Sequence, residues 1–182
     1  MKFDEAMKLA HGIRTALLPY CERIEIAGSV RRGKAEVHDF ELCAIPKMIG
    51  EPVLFGQMPK VSALDCQGAY FSGLGQIVKN GSRYKQILLM PQNFMLDLYI
   101  VLPPANWGVI FTIRTGPADF SHWCVTQRKK GGGLPSNCQV KDGAVIRNGV
   151  VVPMPEEMDF LNFLGLGWVE PADREAKWGG SD

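Results

Sequence analysis

The sequence predicts an α+β fold, with a mixed or antiparallel sheet that carries helices on one side and a small α/β lobe after it. Residues 3–18 place apolar side chains at helical spacing, which predicts an amphipathic helix. Segments 23–27 and 37–45 alternate apolar and polar side chains, as half-buried strands do. Runs 84–90 and 94–101 are rich in strand-forming residues and flank a Pro-Gln-Asn turn, which predicts a hairpin. Helices, strands and hairpins that are not in strict alternation favour the α+β class.

The remaining elements follow from turn residues and periodicity. We interpret residues 46–80 mainly as a connection with one short helix between 61 and 77. Asp142-Gly143 and Asn148-Gly149 are hairpin-turn dipeptides, and they predict a small meander over 140–152. The other predicted elements are helices over 106–113, 118–129 and 155–164.

Composition and charge narrow the class of protein. The 182 residues contain no apolar run near the roughly 20 residues that cross a bilayer. The charged start lacks a secretory signal's apolar core, so we expect an intracellular protein with no targeting signal. Five widely spaced cysteines fit neither a disulfide framework nor a zinc site. Residues 1–155 carry 18 Lys and Arg against 12 Asp and Glu, a basic surplus that suits a polyanion.

Three acids on predicted strands are candidate metal ligands. Asp39 and Glu41 share one strand face, and Asp97 interrupts an otherwise apolar run. Burying carboxylates together is costly unless a cation compensates them. Hard divalent ions such as Mg²⁺ prefer such oxygen ligands. The alternative, in which the acids face solvent on half-exposed strands, stays open at this point.

The segment Gly28-Ser29-Val30-Arg31-Arg32-Gly33-Lys34 lies at a predicted strand-to-helix junction. A helix start offers backbone N–H groups to an anion, and glycine lets a phosphate approach the backbone closely. The hydroxyl and guanidinium groups that follow can add charge-assisted hydrogen bonds. A basic segment after a turn is also typical of a solvated face, so the segment alone decides nothing.

Four segments together resemble one family. GSVRRGKAEVHDFELCAI is similar to the signature of polymerase-beta-type nucleotidyltransferases, the DNA polymerase X family. FMLDLYIV resembles the strand with the family's third acid, and IRTGPADFS the segment that closes over the incoming nucleotide. DFLNFLGLGWVEPADRE is similar to the closing segment of the thumb. The four matches occur in family order between Ile24 and Glu175.

The resemblance implies an organisation and a reaction. It implies a nucleotidyltransferase palm with an N-terminal helix over 1–104, a thumb subdomain over 105–176 and a tail over 177–182, as in the minimal viral form. The implied location is the cytoplasm of a bacterial or virus-infected cell, and the protein would then be bacterial or virus-encoded. The implied reaction is template-directed addition of dNMP from a dNTP to a primer 3′-hydroxyl in gap-filling DNA repair. The implied partners are gapped or primer-template DNA and dNTP, with no membrane, and we expect a monomer.

The resemblance also implies residue roles. Asp39, Glu41 and Asp97 would be the catalytic acids and would hold two Mg²⁺ ions, for which Mn²⁺ can substitute. Gly28, Ser29 and Arg32 would bind the β- and γ-phosphates. The remaining nucleotide-binding positions that the resemblance implies are His38, Arg114, Thr115, Gly116 and Ser121.

Several positions depart from the family pattern. Glu41 replaces the usual Asp, which retains the charge but lengthens the side chain. Arg114 stands where many members have an aromatic residue, so selection against ribonucleotides is open. Pro117 replaces the commoner Ser, and we expect a cis Gly116–Pro117 bond there. Val125 lies where an arginine often contacts the template, which predicts poor template discrimination.

Two other functions remain compatible with these residues. The same acids would serve a nucleotidyltransferase that modifies RNA ends or protein side chains. A catalytically silent DNA-binding module is the alternative from a different class. Incorporation of nucleotide that depends on Mg²⁺ and on the three acids separates these cases.

Overall fold

A computed structural model describes residues 1–50 and 60–175. The chain divides into two compact units, one of Met1–Ile26 and Glu36–Ile100, the other of Ala27–Ala35 and Val101–Asp182. The helices are α1 (Phe3–Leu17), α2 (Gly28–Arg31), α3 (Gly68–Leu74), α4 (Trp107–Thr115), α5 (Ala118–Val125) and α6 (Glu157–Leu164). The strands are β1 (Cys21–Ala27), β2 (Asp39–Pro46), β3 (Met48–Ile49), β4 (Val61–Ser62), β5 (Gly75–Asn80), β6 (Tyr84–Leu89), β7 (Phe94–Ile100), β8 (Cys138–Lys141), β9 (Ala144–Arg147) and β10 (Val150–Val152).

The first unit is built on a mixed five-stranded sheet. Its strand order is β1-β2-β7-β6-β5, with β2 parallel to β7 and β6 antiparallel to both β7 and β5. The predicted hairpin of β6 and β7 is therefore confirmed. So are the α+β class and the mixed sheet. The sequence interpretation missed β5, which lies inside the segment that we took for a connection and a helix.

Alternation along the strands gives this sheet two different faces. One face is apolar and fully covered, and it includes Phe40, Leu42, Leu96 and Leu98. Helix α1 packs against β2 and buries Ala6, Ala10, Ile13 and Leu17. Side chains on the opposite face are mostly half-buried, and they include Asp39, Glu41 and Gln86. Because side chains alternate in a strand, the covered face fixes which residues point to the other side.

The second unit packs helices α4, α5 and α6 with a three-stranded antiparallel sheet of order β10-β9-β8. Asp142 (φ 51°) and Gly143 (φ 76°), then Asn148 (φ 52°) and Gly149 (φ 81°), form its two turns. Two successive left-handed residues are the geometry of a tight hairpin turn, so the predicted meander is confirmed. Its core includes Val109, Phe120, Cys124, Leu134, Val145, Phe160, Leu161 and Leu164.

Two expectations about α5 and the turn before it are wrong. The Gly116–Pro117 bond is trans, and the cis bonds of the described residues are Met90–Pro91 and Pro103–Pro104. The turn is made instead by extended ψ angles at Gly116 (157°) and Pro117 (169°), after which α5 begins at once. Helix α5 also ends at Val125, short of the predicted residue 129, because Thr126 is extended (ψ 134°).

Within residues 1–50 and 60–175, no helix combines the length and the apolar character needed to cross a membrane.

Candidate functional site

The three predicted acids occupy neighbouring positions on the half-buried face of the five-stranded sheet. Glu41 on β2 is the register partner of Asp97 on β7, and Asp39 lies two residues before Glu41. Partners in parallel strands point to the same face, and so do residues two apart on one strand. The backbone therefore brings the three positions together, although Asp97 is 56 residues further along the chain than Glu41.

Asp97 is held by two donors from the next strand. The Tyr84 hydroxyl donates to Asp97 Oδ1 at 2.6 Å, and Gln86 Nε2 donates to the same oxygen at 2.9 Å. Gln86 is the register partner of Asp97 on β6. Only 8% of Asp97 is exposed, so these bonds satisfy a buried carboxylate.

The side chains of Asp39, Glu41 and Asp97 do not form a metal site in the structure. Among residues 1–50 and 60–175, no group of three or more His, Cys, Asp or Glu side chains is close enough to hold an ion. Asp97 turns Oδ1 towards β6, while Asp39 and Glu41 make contacts of their own. The donor chemistry fits Mg²⁺, since three carboxylates on one sheet face supply the oxygen ligands that it prefers. Metal binding therefore stays a prediction.

The glycine turn before α2 has the predicted form but belongs to the second unit. Strand β1 ends at Ala27, and Gly28 follows with φ 63°, a left-handed conformation that favours glycine. Helix α2 is a single turn that begins with Gly28 and Ser29, and Arg32 closes it with an N–H bonded to Gly28 O at 3.1 Å.

A buried ion cluster ties α2 to α6, within the second unit. Arg31 donates to both carboxylate oxygens of Glu157, at 2.9 and 2.7 Å, and its guanidinium lies 4.1 Å from the Phe111 ring centroid. Arg174 donates to Glu157 Oε1 at 2.7 Å and is fully buried. Burial opposes ionisation of Glu157, but the hydrogen bonds and charges of the two arginines outweigh it and lower its pKa.

Two predicted nucleotide-binding residues, Arg32 and Thr115, contact each other. Arg32 Nη1 donates to the Thr115 carbonyl at 2.7 Å, at the end of α4, while Arg31 Nη1 reaches the Thr115 hydroxyl at 2.7 Å. Glu175 accepts from Arg32 Nε and from Lys34 Nζ. Burial opposes ionisation of Glu175, but hydrogen bonds from Lys34 and Arg32 outweigh it and lower its pKa. Arg32, which is predicted to bind phosphate, is thus paired with a carboxylate of the same chain.

The other predicted nucleotide contacts are placed as follows. The Ser121 hydroxyl donates to the Ile113 carbonyl at 2.5 Å and lies 3.3 Å from the Gly116 carbonyl, so it caps the end of α4. Arg114 is half-buried in the last turn of α4, and His38 is exposed just before β2. No nucleotide contact is established for these residues, and their roles stay predictions.

Sequence reasoning missed Glu157 as the organising residue of the second unit. A signal was present, since Glu157 precedes the buried Phe160, Leu161 and Leu164 by three, four and seven positions. That spacing puts it on the apolar face of α6. An acid on an apolar helix face predicts a buried cationic partner.

Comparison with known proteins supports the relationship that the motifs indicate. No protein-family model matches the chain. DNA polymerase lambda of Rattus norvegicus is 29% identical over 163 residues, which covers 81% of this chain. The sequence is thus similar to that of a DNA polymerase. The chain spans 28% of that relative's length. The similarity supports a distant relationship to the DNA polymerase X family and a polymerase or nucleotidyltransferase kind of function.

Proposed function

We propose that this chain is a DNA nucleotidyltransferase that adds dNMP from a dNTP to the 3′-hydroxyl of a DNA primer and releases pyrophosphate. The observation that carries the proposal is the parallel register that sets Glu41 beside Asp97, with Asp39 on the same face. The four motifs in family order and the similarity to DNA polymerase lambda support it further.

Asp39, Glu41 and Asp97 would hold two Mg²⁺ ions, which when bound stabilise both the attacking and the leaving oxygen of an in-line displacement. Asp97 would lie against the primer 3′-hydroxyl and help to remove its proton. Asp39 and Glu41 lie on the neighbouring strand, so one rigid sheet would position all three carboxylates. Sites built on strands hold their geometry better than sites on loops.

Residues of the glycine turn and of the end of α4 would contact the nucleotide. Backbone N–H groups near Gly28, the Ser29 hydroxyl and the Arg32 guanidinium would bind the β- and γ-phosphates. Since Arg32 already donates to Glu175, phosphate binding would exchange one anionic acceptor for another at the same cation. The backbone at Thr115 and Gly116 would face the sugar.

Three further residues would complete the nucleotide contacts. Arg114 would lie near the sugar 2′-position, where it leaves discrimination against ribonucleotides open. Ser121 would lie near the base, and the backbone N–H of His38 would face the triphosphate. These roles follow from the resemblance and not from a contact in the structure.

DNA would be held chiefly through phosphate contacts of the basic residues before Glu156. Residues 1–155 carry 18 Lys and Arg against 12 Asp and Glu. Binding through such contacts releases counterions from the DNA. This release becomes less favourable as the salt concentration rises, so the affinity falls steeply. Gapped or primer-template DNA is the substrate that we propose, in gap-filling repair.

The test is single-nucleotide incorporation on a gapped duplex with Mg²⁺ and each dNTP. Asp97→Asn keeps the shape of the side chain and removes its charge. We expect a loss of more than about 100-fold, because residues that only orient metal ligands already cost 10–100-fold when mutated. Asp142→Asn is the matched control, since Asp142 is exposed in a left-handed turn that Asn adopts readily.

Three outcomes would contradict the proposal. DNA binding without Mg²⁺-dependent incorporation would identify a DNA-binding module instead. Incorporation only on RNA ends or protein side chains would identify another nucleotidyltransferase. Equal activity of Asp97→Asn and Asp142→Asn would remove the proposed site.

A further inference from the structure

We infer that Tyr84 and Gln86 are positioning residues that fix the carboxylate of Asp97 so that Oδ2 serves the cation and the primer. The inference rests on the proposed function. It goes beyond the motifs, because neither residue belongs to any of the four segments that resemble the family.

The two donors bond to the same oxygen of Asp97 from two different positions on β6. Gln86 pairs directly with Asp97 in the antiparallel register, and its Nε2 lies 2.9 Å from Oδ1. Tyr84 pairs with Tyr99, two residues beyond Asp97 on the same face, and its hydroxyl lies 2.6 Å from Oδ1. Two donors that converge on one carboxylate oxygen fix the rotation of the side chain, which a single donor would not.

Tyr84 is itself held in place. Its ring stacks on the Tyr99 ring with centroids 5.1 Å apart and an interplanar angle of 27°. Lys79 Nζ lies 5.3 Å from the centre of the Tyr84 ring, on the same face of the sheet. The hydroxyl is therefore presented to Asp97 by an aromatic ring that is packed between neighbours, and little conformational freedom is lost when it donates.

The arrangement divides the two oxygens of Asp97 between two tasks. Oδ1 is occupied by β6, which leaves Oδ2 outside these two hydrogen bonds. Glu41 lies on the other neighbouring strand, at the register position of Asp97. Asp97 thus stands between a strand that orients it and a strand that shares its proposed ligand role. Partners that orient ligands are a recurrent requirement of metal sites.

The experiment compares Tyr84→Phe and Gln86→Met with wild type, and with Tyr70→Phe on α3 as a matched control. Tyr84→Phe keeps the ring and removes only the hydroxyl group, and Gln86→Met keeps the length of the side chain. For each of the two we expect kcat for gap filling to fall about 10–100-fold. KM for dNTP should change little, because the proposed triphosphate contacts lie elsewhere. Mn²⁺ affinity, measured by electron paramagnetic resonance without DNA or dNTP, should fall in the same two variants.

A purely structural role would give a different result. It would lower the urea midpoint of the two variants and leave Mn²⁺ affinity and kcat at wild-type values, which would overturn the inference. Wild-type protein without Mg²⁺-dependent incorporation would overturn the proposed function and this inference with it. An active wild type with unchanged Tyr84→Phe and Gln86→Met variants would overturn the inference alone.

Discussion

Replacing Glu157 by Gln removes one negative charge from between two guanidinium groups. Glu157 is 5% exposed and Arg174 is fully buried, so water cannot replace the lost charge at Arg174. Arg31 and Arg174 together place three N–H donors within 2.9 Å of the carboxylate, and the amide group of Gln offers only one acceptor. Breaking a buried ion pair from one side costs about 3–5 kcal/mol, which is the loss in unfolding free energy that we expect.

The assay is urea denaturation followed by circular dichroism. With a slope of about 2 kcal/mol per molar urea, the expected loss lowers the midpoint by about 1.5–2.5 M. Glu25→Gln is the matched control, because the pair that Glu25 forms with Arg14 at 3.2 Å is partly exposed to solvent. Exposed pairs contribute at most about 1 kcal/mol, which corresponds to about 0.5 M. Equal shifts for the two variants would refute the reasoning that burial makes the Glu157 cluster important.

Three further predictions use the same protein. Because folding lowers the pKa of Glu157, the stability that its charge contributes is complete above about pH 4.5 and is lost as the pH falls. Acidification should therefore reduce the unfolding free energy of wild type more steeply than that of Glu157→Gln. Parallel plots of unfolding free energy against pH would contradict this. Gly116→Ala places a Cβ 2.2 Å from Phe120 Cδ1, so the melting temperature should fall, and an unchanged value would show that the ring moves freely. Burial raises the pKa of the Cys124 thiol to about 12, so Ellman's reagent should modify exposed Cys66 first and Cys124 only after unfolding; equal rates would contradict the packing around Cys124.

The alternation of residues within one strand predicts that Asp39 and Glu41 share a face. It does not predict that Glu41 pairs with Asp97 on another strand. Alternation over residues 37–45 placed Asp39 and Glu41 together, and the structure confirms that they share a face. The register that sets Glu41 beside Asp97 depends on how two distant strands align. Nothing in either strand alone specifies that alignment, so the sequence could only propose that the acids meet.

The features that the sequence did not reveal depend on the position of a strand at a sheet edge or on contacts between residues far apart in the chain. Strand β5 lies at the edge of its sheet, and residues such as Lys79 are exposed, so the period-2 pattern of a half-buried strand is absent. Arg31 meets Glu157 across 126 residues of sequence. A proline at position 117 permits either isomer of the Gly116–Pro117 bond, so the sequence alone did not determine that it is trans.

The proposed reaction requires Asp39, Glu41 and Asp97 to act as joint metal ligands. The most direct measurement is a crystal structure of the protein with Mn²⁺, gapped DNA and a non-hydrolysable dNTP, with anomalous diffraction recorded for manganese. We expect anomalous peaks in contact with carboxylate oxygens of all three residues, with Asp97 contributing Oδ2. Peaks that are bound elsewhere, or a complex in which Asp97 contacts no metal, would contradict the proposed reaction.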